Sequence, residues 1–89
     1  MKEIKIEIKN QAGLHARAAA LLVQNANMFN SDIIISKGDN FVNGKSIMGV
    51  MTLAATCGSI ITISANGIDE DKVLETMALL IDNKFGEGI

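Results

Sequence analysis

Residues 3–9, EIKIEIK, alternate strictly between charged residues and isoleucine. Successive side chains of a β-strand point to opposite faces, so Ile4, Ile6 and Ile8 fall on one face and the charges on the other. A strand of this kind has one buried and one solvated face, which is typical of an antiparallel or mixed sheet covered on one side. The chain is therefore expected to build a sheet with helices on its apolar face.

The period of the pattern changes after NQAG. Ala19, Leu22, Val23 and Ala26 recur at i, i+3, i+4 and i+7, which is the spacing of an amphipathic helix. We predict this helix from Ala16 to about Met28.

Further strand and helix signals alternate along the rest of the chain. SDIIIS and NFVN predict two strands of a hairpin joined by KGD, and SIITISANG predicts the next strand. Ile47–Leu53 is predicted to be a short helix that Ser46 could cap, although Asn43-Gly44 could also form a hairpin turn. Asp69, Glu70 and Asp71 open a last helix, with Gly86 as its stop. Its expected buried residues are Val73, Met77, Leu80, Ile81 and Phe85.

Composition narrows the functional classes. The 89 residues suggest a single domain spanning 1–89, and a net charge of −2 with only three aromatic residues argues against nucleic-acid binding. One cysteine, Cys57, and one histidine, His15, cannot form a disulfide or an ordinary zinc site, so we expect no metal. Cys57 is expected to be a partly buried loop residue without a role. The sequence shows no targeting segment and no membrane-spanning run, which predicts a cytoplasmic protein without membrane insertion.

The stretch GLHARAAA places His15 and Arg17 where the first helix begins. The free N–H groups and the dipole of a helix N-terminus attract anions, and arginine is well suited to phosphate oxygens. Imidazole, with an ordinary pKa of about 6.5, is largely neutral at pH 7 and can act as a nucleophile. The combination fits transient phosphorylation of histidine, but from the spacing alone a simple helix cap beside a solvated arginine is the stronger interpretation.

A second stretch, NGKSIMGVM, adds a candidate docking surface. The apolar side chains of a helix this short cannot all face inward, so about half of Ile47, Met48, Val50, Met51 and Leu53 should be exposed. Methionine-rich surfaces adapt to several partners. A covering loop is an equally good interpretation at this point.

GLHARAAALLVQNA followed by VNGKSIMGVMTLA resembles the HPr family, the histidine-containing phosphocarriers of the phosphoenolpyruvate-dependent phosphotransferase system. The resemblance implies an α+β fold of order β-α-β-β-α-β-α, an open-faced β-sandwich with a four-stranded antiparallel sheet and three helices on one face. It also implies a carrier that is not an enzyme and needs no cofactor. His15 would accept a phosphoryl group through Nδ1 from enzyme I and pass it to IIA components.

The resemblance also implies roles for other residues. Arg17 would help to hold the phosphoryl group, and Ser46 would be the target of HPr kinase/phosphorylase in organisms that have it. The residues that would contact partners are Ala16, Ala20, Gln24, Ile47, Met48 and Met51. Ala12 and Ala18 stand where many family members have Asn or Ser and Pro, so both the sugar branch and the nitrogen-regulatory branch stay open. A ferredoxin-like small-molecule-binding regulatory module is the alternative from another class, and an acylphosphatase would need an anion loop that the sequence lacks.

Overall fold

Four strands and three helices make up the protein in a computed structural model that describes residues 1–87. The order is strand, helix, two strands, helix, strand, helix, as expected from the sequence. The elements are β1 (Lys2–Glu7), α1 (Ala16–Ala26), β2 (Asp32–Lys37), β3 (Asn40–Asn43), α2 (Ile47–Thr52), β4 (Ile60–Asn66) and α3 (Glu70–Asp82), followed by a short 3-10 turn at Lys84–Gly86.

The strands form one antiparallel sheet in the order β1-β4-β2-β3. Ile4 lies opposite Ile63 and Ile6 opposite Ile61, so the isoleucines of β1 share a face with those of β4. The predicted alternation is therefore confirmed. Gly38 and Asp39 alone connect β2 to β3, and Gly38 has a φ of 59°, which suits the tight turn of a two-residue hairpin.

The helices cover the isoleucine face and share one hydrophobic core with it. The core takes buried side chains from every helix and from the three longest strands or their ends: Ile8, Leu22, Val50, Ile63, Val73 and Met77 are representatives. The opposite face carries the charged side chains of β1, which are exposed. This is the open-faced α+β sandwich that the resemblance implies.

The ends of two helices differ from the predicted ones. Helix α1 ends at Ala26 rather than near Met28, and α3 ends at Asp82. Phe85 is buried as predicted, but it lies in the turn after α3 with a φ of 54°, and Leu80 is only half-buried. Leu74 joins the core instead. The side chain of Cys57 is exposed, with its thiol 3.7 Å from the Lys9 carbonyl oxygen, so the expectation of partial burial was wrong.

No helix within residues 1–87 has the length and apolar character that crossing a membrane requires.

Candidate functional site

The loop between β1 and α1 fixes where His15 can lie. The Gly13 N–H donates to the Asn10 carbonyl at 3.1 Å, and the Asn10 side-chain amide returns a hydrogen bond to the Gly13 carbonyl at 2.7 Å. The next N–H, of Leu14, donates to the Ala55 carbonyl at 2.9 Å, and the Leu14 side chain enters the core. His15 thus leaves a loop that is tied at both its start and its end.

Gly13 is required by this loop geometry. Its φ is +69°, and a Cβ there would lie 2.6 Å from the Ala55 carbonyl oxygen. Both the left-handed backbone and the close approach to a neighbouring backbone favour glycine. The turn would shift with any other residue at this position.

His15 is the N-cap of α1. Its backbone is extended and its carbonyl accepts the Ala19 N–H at 2.8 Å, while Nδ1 accepts the Arg17 N–H at 3.3 Å. Nδ1 therefore faces the free N–H groups of the helix, where an anion is favoured. In this ring orientation the lone pair of Nδ1 and the anion site lie on the same side of the imidazole.

The other ring nitrogen meets a carboxylate that sequence reasoning missed. Nε2 of His15 is hydrogen-bonded to Oε2 of Glu87, and Arg17 Nη2 lies 3.6 Å from the same oxygen. The Glu87 side chain is only 8 % exposed, compared with 34 % for His15 and 66 % for Arg17. The second oxygen of Glu87 accepts the Asn10 amide at 2.9 Å.

The hydrogen bond from Asn10 is the main reason why the pKa of Glu87 lies below its ordinary value, and the hydrogen bond from His15 lowers that pKa further. Glu87 is therefore ionised at neutral pH and acts only as an acceptor. Since 72 residues separate Glu87 from His15, no local spacing could have linked them. The one available signal was an acidic residue directly after the expected stop at Gly86.

An open cleft of about 400 Å³ lies over these groups and is lined by Gln11, Ala12, His15, Arg17 and Glu87. Ala12 contributes only a methyl group, which can neither donate nor accept a hydrogen bond. The groups in and beside the cleft that can donate hydrogen bonds to an anion are backbone N–H groups of α1, the Arg17 guanidinium and the Gln11 side-chain amide.

Helix α2 has Ser46 as its N-cap, and the Ser46 hydroxyl accepts the Gly49 N–H at 3.1 Å. Ile47, Met48 and Met51 are exposed, with Met48 at 77 %, whereas Val50 and Leu53 are buried. The expected division of this helix into exposed and buried halves is confirmed. Because α1 and α2 contact each other, this exposed apolar surface adjoins the helix that begins at His15.

The other candidate residues lie on α1. Ala16 and Gln24 are exposed and Ala20 is partly exposed, at a spacing of four residues along one side of the helix.

The chain is similar in sequence and in fold to known proteins. The family model described as "PTS HPr component phosphorylation site" matches residues 2–83. The phosphocarrier protein HPr of Neisseria meningitidis serogroup A is 46% identical over 88 residues, which are 99% of each chain. The HPr-like protein Crh of Bacillus subtilis is 44% identical over 84 residues, or 94% of this chain and 99% of that one. A crystal structure of HPr-C-His from Thermoanaerobacter tengcongensis is 49% identical, covers 100% of both chains and has a TM-score of 0.96.

Proposed function

Because this chain belongs to the HPr family of phosphocarriers of the phosphotransferase system, we propose that its His15 receives a phosphoryl group from the phosphohistidine of enzyme I. In this step the lone pair of Nδ1 forms a new N–P bond while the N–P bond of the donor breaks and the donor imidazole keeps the electron pair. His15 then transfers the group to a histidine of a IIA component in the same way. The observation that carries the proposal is the orientation of Nδ1 toward the N-terminus of α1.

The surroundings of Nδ1 suit a carrier, which must release what it binds. The free N–H groups of α1 and one largely exposed arginine can stabilise the charge on the phosphoryl group during transfer. Neither holds it as tightly as a buried ion-pair cage would. Arg17 is within reach because it follows His15 by two residues and already lies beside the ring through Glu87.

We propose that enzyme I and IIA components dock on the exposed surface of α1 and α2. This docking surface comprises Ala16, Ala20, Gln24, Ile47, Met48 and Met51. The exposure of Ile47, Met48 and Met51 supports this proposal, because the free energy falls when a partner removes exposed apolar side chains from water. Flexible methionines would let one surface fit two different partners in turn.

Ser46 is the proposed site of regulatory phosphorylation by HPr kinase/phosphorylase. Its hydroxyl lies at the start of α2, directly before the docking residues Ile47 and Met48. A phosphoryl group there would add about −1.5 to −2 charges beside an apolar surface. Docking of enzyme I would weaken as a result.

The test combines the protein with enzyme I, Mg²⁺ and labelled phosphoenolpyruvate. One acid-labile phosphoryl group per chain is expected in the parent and none in His15→Ala. The enzyme I proteins of the sugar branch and of the nitrogen-regulatory branch serve as parallel arms, and the faster one identifies the branch. Absence of labelling with both, or labelling that survives in His15→Ala, would refute the proposed function.

A further inference from the structure

The proposed function assigns no role to the buried carboxylate beside His15. Glu87 reaches the site from the far end of the chain, and its two oxygens contact three groups: the His15 ring, the Asn10 amide and, more loosely, the Arg17 guanidinium. Asn10 is fully buried and is held in turn by the Gly13 carbonyl. The carboxylate is thus fixed by a group that cannot move without disturbing the loop.

We infer that Glu87 is a positioning residue which selects Nδ1 of His15 as the nucleophile. The inference rests on the proposed function for the reaction that the nucleophile performs, and on the geometry of the ring for the selection itself.

The selection follows from the donor and acceptor character of the groups around the ring. A neutral imidazole carries one proton, and the nitrogen without it has the free lone pair. Glu87 as a carboxylate can only accept, so Nε2 must hold the proton and donate it to Oε2. Nδ1 is left with the lone pair, directed at the Arg17 N–H.

The same contact also fixes the orientation of the ring. Rotation of the imidazole by 180° about its bond to Cβ would place a C–H group at Glu87 and remove the lone pair from the helix N-terminus. A buried acceptor that holds Nε2–H disfavours that rotation. A carboxylate partner of this kind has a well-known physical effect on a histidine, since it fixes both the tautomer and the direction of the ring.

Glu87 also stabilises the positive charge that develops on the His15 ring during phosphoryl transfer. When Nδ1 bonds to phosphorus, the proton stays on Nε2 and the ring gains positive charge next to Glu87. A carboxylate at that point stabilises the charge as it forms. The Arg17 guanidinium, 3.6 Å from the same oxygen, remains free to turn toward the phosphoryl oxygens.

The first measurement is the ¹H–¹⁵N spectrum of the His15 ring in alkaline solution, which reports which ring nitrogen carries the proton. In the parent we expect a single tautomer with the proton on Nε2 and a slowly exchanging Nε2–H. In Glu87→Ala and Glu87→Gln the slow exchange should be lost and the two nitrogen shifts should move toward each other. Glu87→Gln is the sharper variant, because an amide of nearly the same shape can both donate and accept.

The second measurement is the rate of phosphoryl acceptance from enzyme I. Loss of a partner that orients an imidazole costs about tenfold or more, so kcat with Glu87→Gln should fall about tenfold while KM for the protein stays the same. Glu87→Asp should recover part of the rate. Asp82→Asn is the matched control, because it removes an exposed carboxylate from the same end of the chain, one paired with Lys9.

The two ideas fail in distinguishable ways. If the parent accepts phosphoryl groups and Glu87→Gln matches it in both spectrum and rate, the positioning role is wrong and the carrier function stands. If the parent accepts none, the carrier function is wrong. A parent spectrum with the proton on Nδ1 would overturn the selection by itself.

Discussion

Gly13 illustrates at the scale of one residue how the backbone places His15, the proposed nucleophile. Its positive φ and its closeness to the Ala55 carbonyl each exclude a side chain for a different reason. We predict that Gly13→Ala lowers the free energy of unfolding by about 2–3 kcal/mol, from left-handed strain and overpacking together. Urea denaturation measures this loss.

Gly38 offers a matched control for that prediction. It also has a positive φ, +59°, but a Cβ there would meet nothing within 4 Å. Gly38→Ala should therefore cost about 1 kcal/mol, from the backbone strain alone. Equal decreases in the free energy of unfolding of the two variants would show that the close approach of Gly13 to Ala55 does not contribute to the cost of Gly13→Ala.

The sequence predicted those site residues that lie close together along the chain, and it missed those that meet only in the folded structure. His15 and Arg17 are two residues apart, and the start of a helix brings their groups together without help from the rest of the fold. Glu87 reaches His15, and Asn10 reaches Glu87, only through tertiary structure. Their side chains follow no period that a sequence pattern could report.

The end of the last helix was also set by tertiary structure and not by the local sequence pattern. The apolar spacing from Val73 to Ile81 continues to Phe85, so periodicity alone extended the last helix too far. The chain instead leaves the helix after Asp82, with Lys84 and Phe85 both at a φ of 54°, and buries Phe85 from the turn. Burial of one aromatic ring outweighs the cost of two left-handed residues, which a helical pattern does not reveal.

The start of α3 leads to a prediction about acid stability. Asp69 accepts hydrogen bonds from the Ser31 hydroxyl and from the N–H groups of Asn30 and Ser31, and these lower its pKa from the ordinary value of 3.8. Below pH 3.8 the Asp69 carboxylate binds a proton in the unfolded chain but stays ionised in the folded chain. The free energy of unfolding therefore decreases as the pH falls, until the pH has passed through the folded-state pKa. Asp69→Asn should lose less stability than the parent between about pH 4 and pH 2.

Denaturation at a series of pH values checks this expectation. Glu75→Gln, which removes an exposed carboxylate from the same helix, is the control and should follow the parent. Glu87, whose pKa is also lowered, leaves the Asp69→Asn variant with part of the acid sensitivity. Parallel curves for the parent and Asp69→Asn would contradict the assigned hydrogen bonds.

For the molecule as a whole, the family match excludes the ferredoxin-like and acylphosphatase alternatives, and the fold class was fully predictable because alternation, helical period and turn residues agree along the chain. The proposed docking surface belongs to this scale, because its residues lie on two helices. We predict that Met48→Asp and Ser46→Asp each raise KM for phosphoryl acceptance from enzyme I about tenfold, because Met48→Asp places a charge within the apolar surface and Ser46→Asp places one directly beside it.

Both variants should keep the stability of the parent, because Met48 is exposed and aspartate caps a helix as well as serine does. Ile68→Asp is the control. Ile68 is 95 % exposed but follows β4, at the end of the sheet away from the loop that carries His15. A rise in KM for Ile68→Asp similar to that for Met48→Asp would mean that overall charge, and not the docking surface, governs the encounter.

The turn at Lys84–Gly86 has a consequence best expressed as an effective concentration. Three successive residues with positive φ reverse the chain and deliver a carboxylate to Nε2 as part of the same molecule. Even a short flexible tether presents a group at millimolar concentration, and a turn held by Asn10 presents it far above that. Free carboxylates in the surrounding solution are too dilute to compete. The hydrogen-bonding partner of the ring is therefore set by the chain itself and not by carboxylates in the solution.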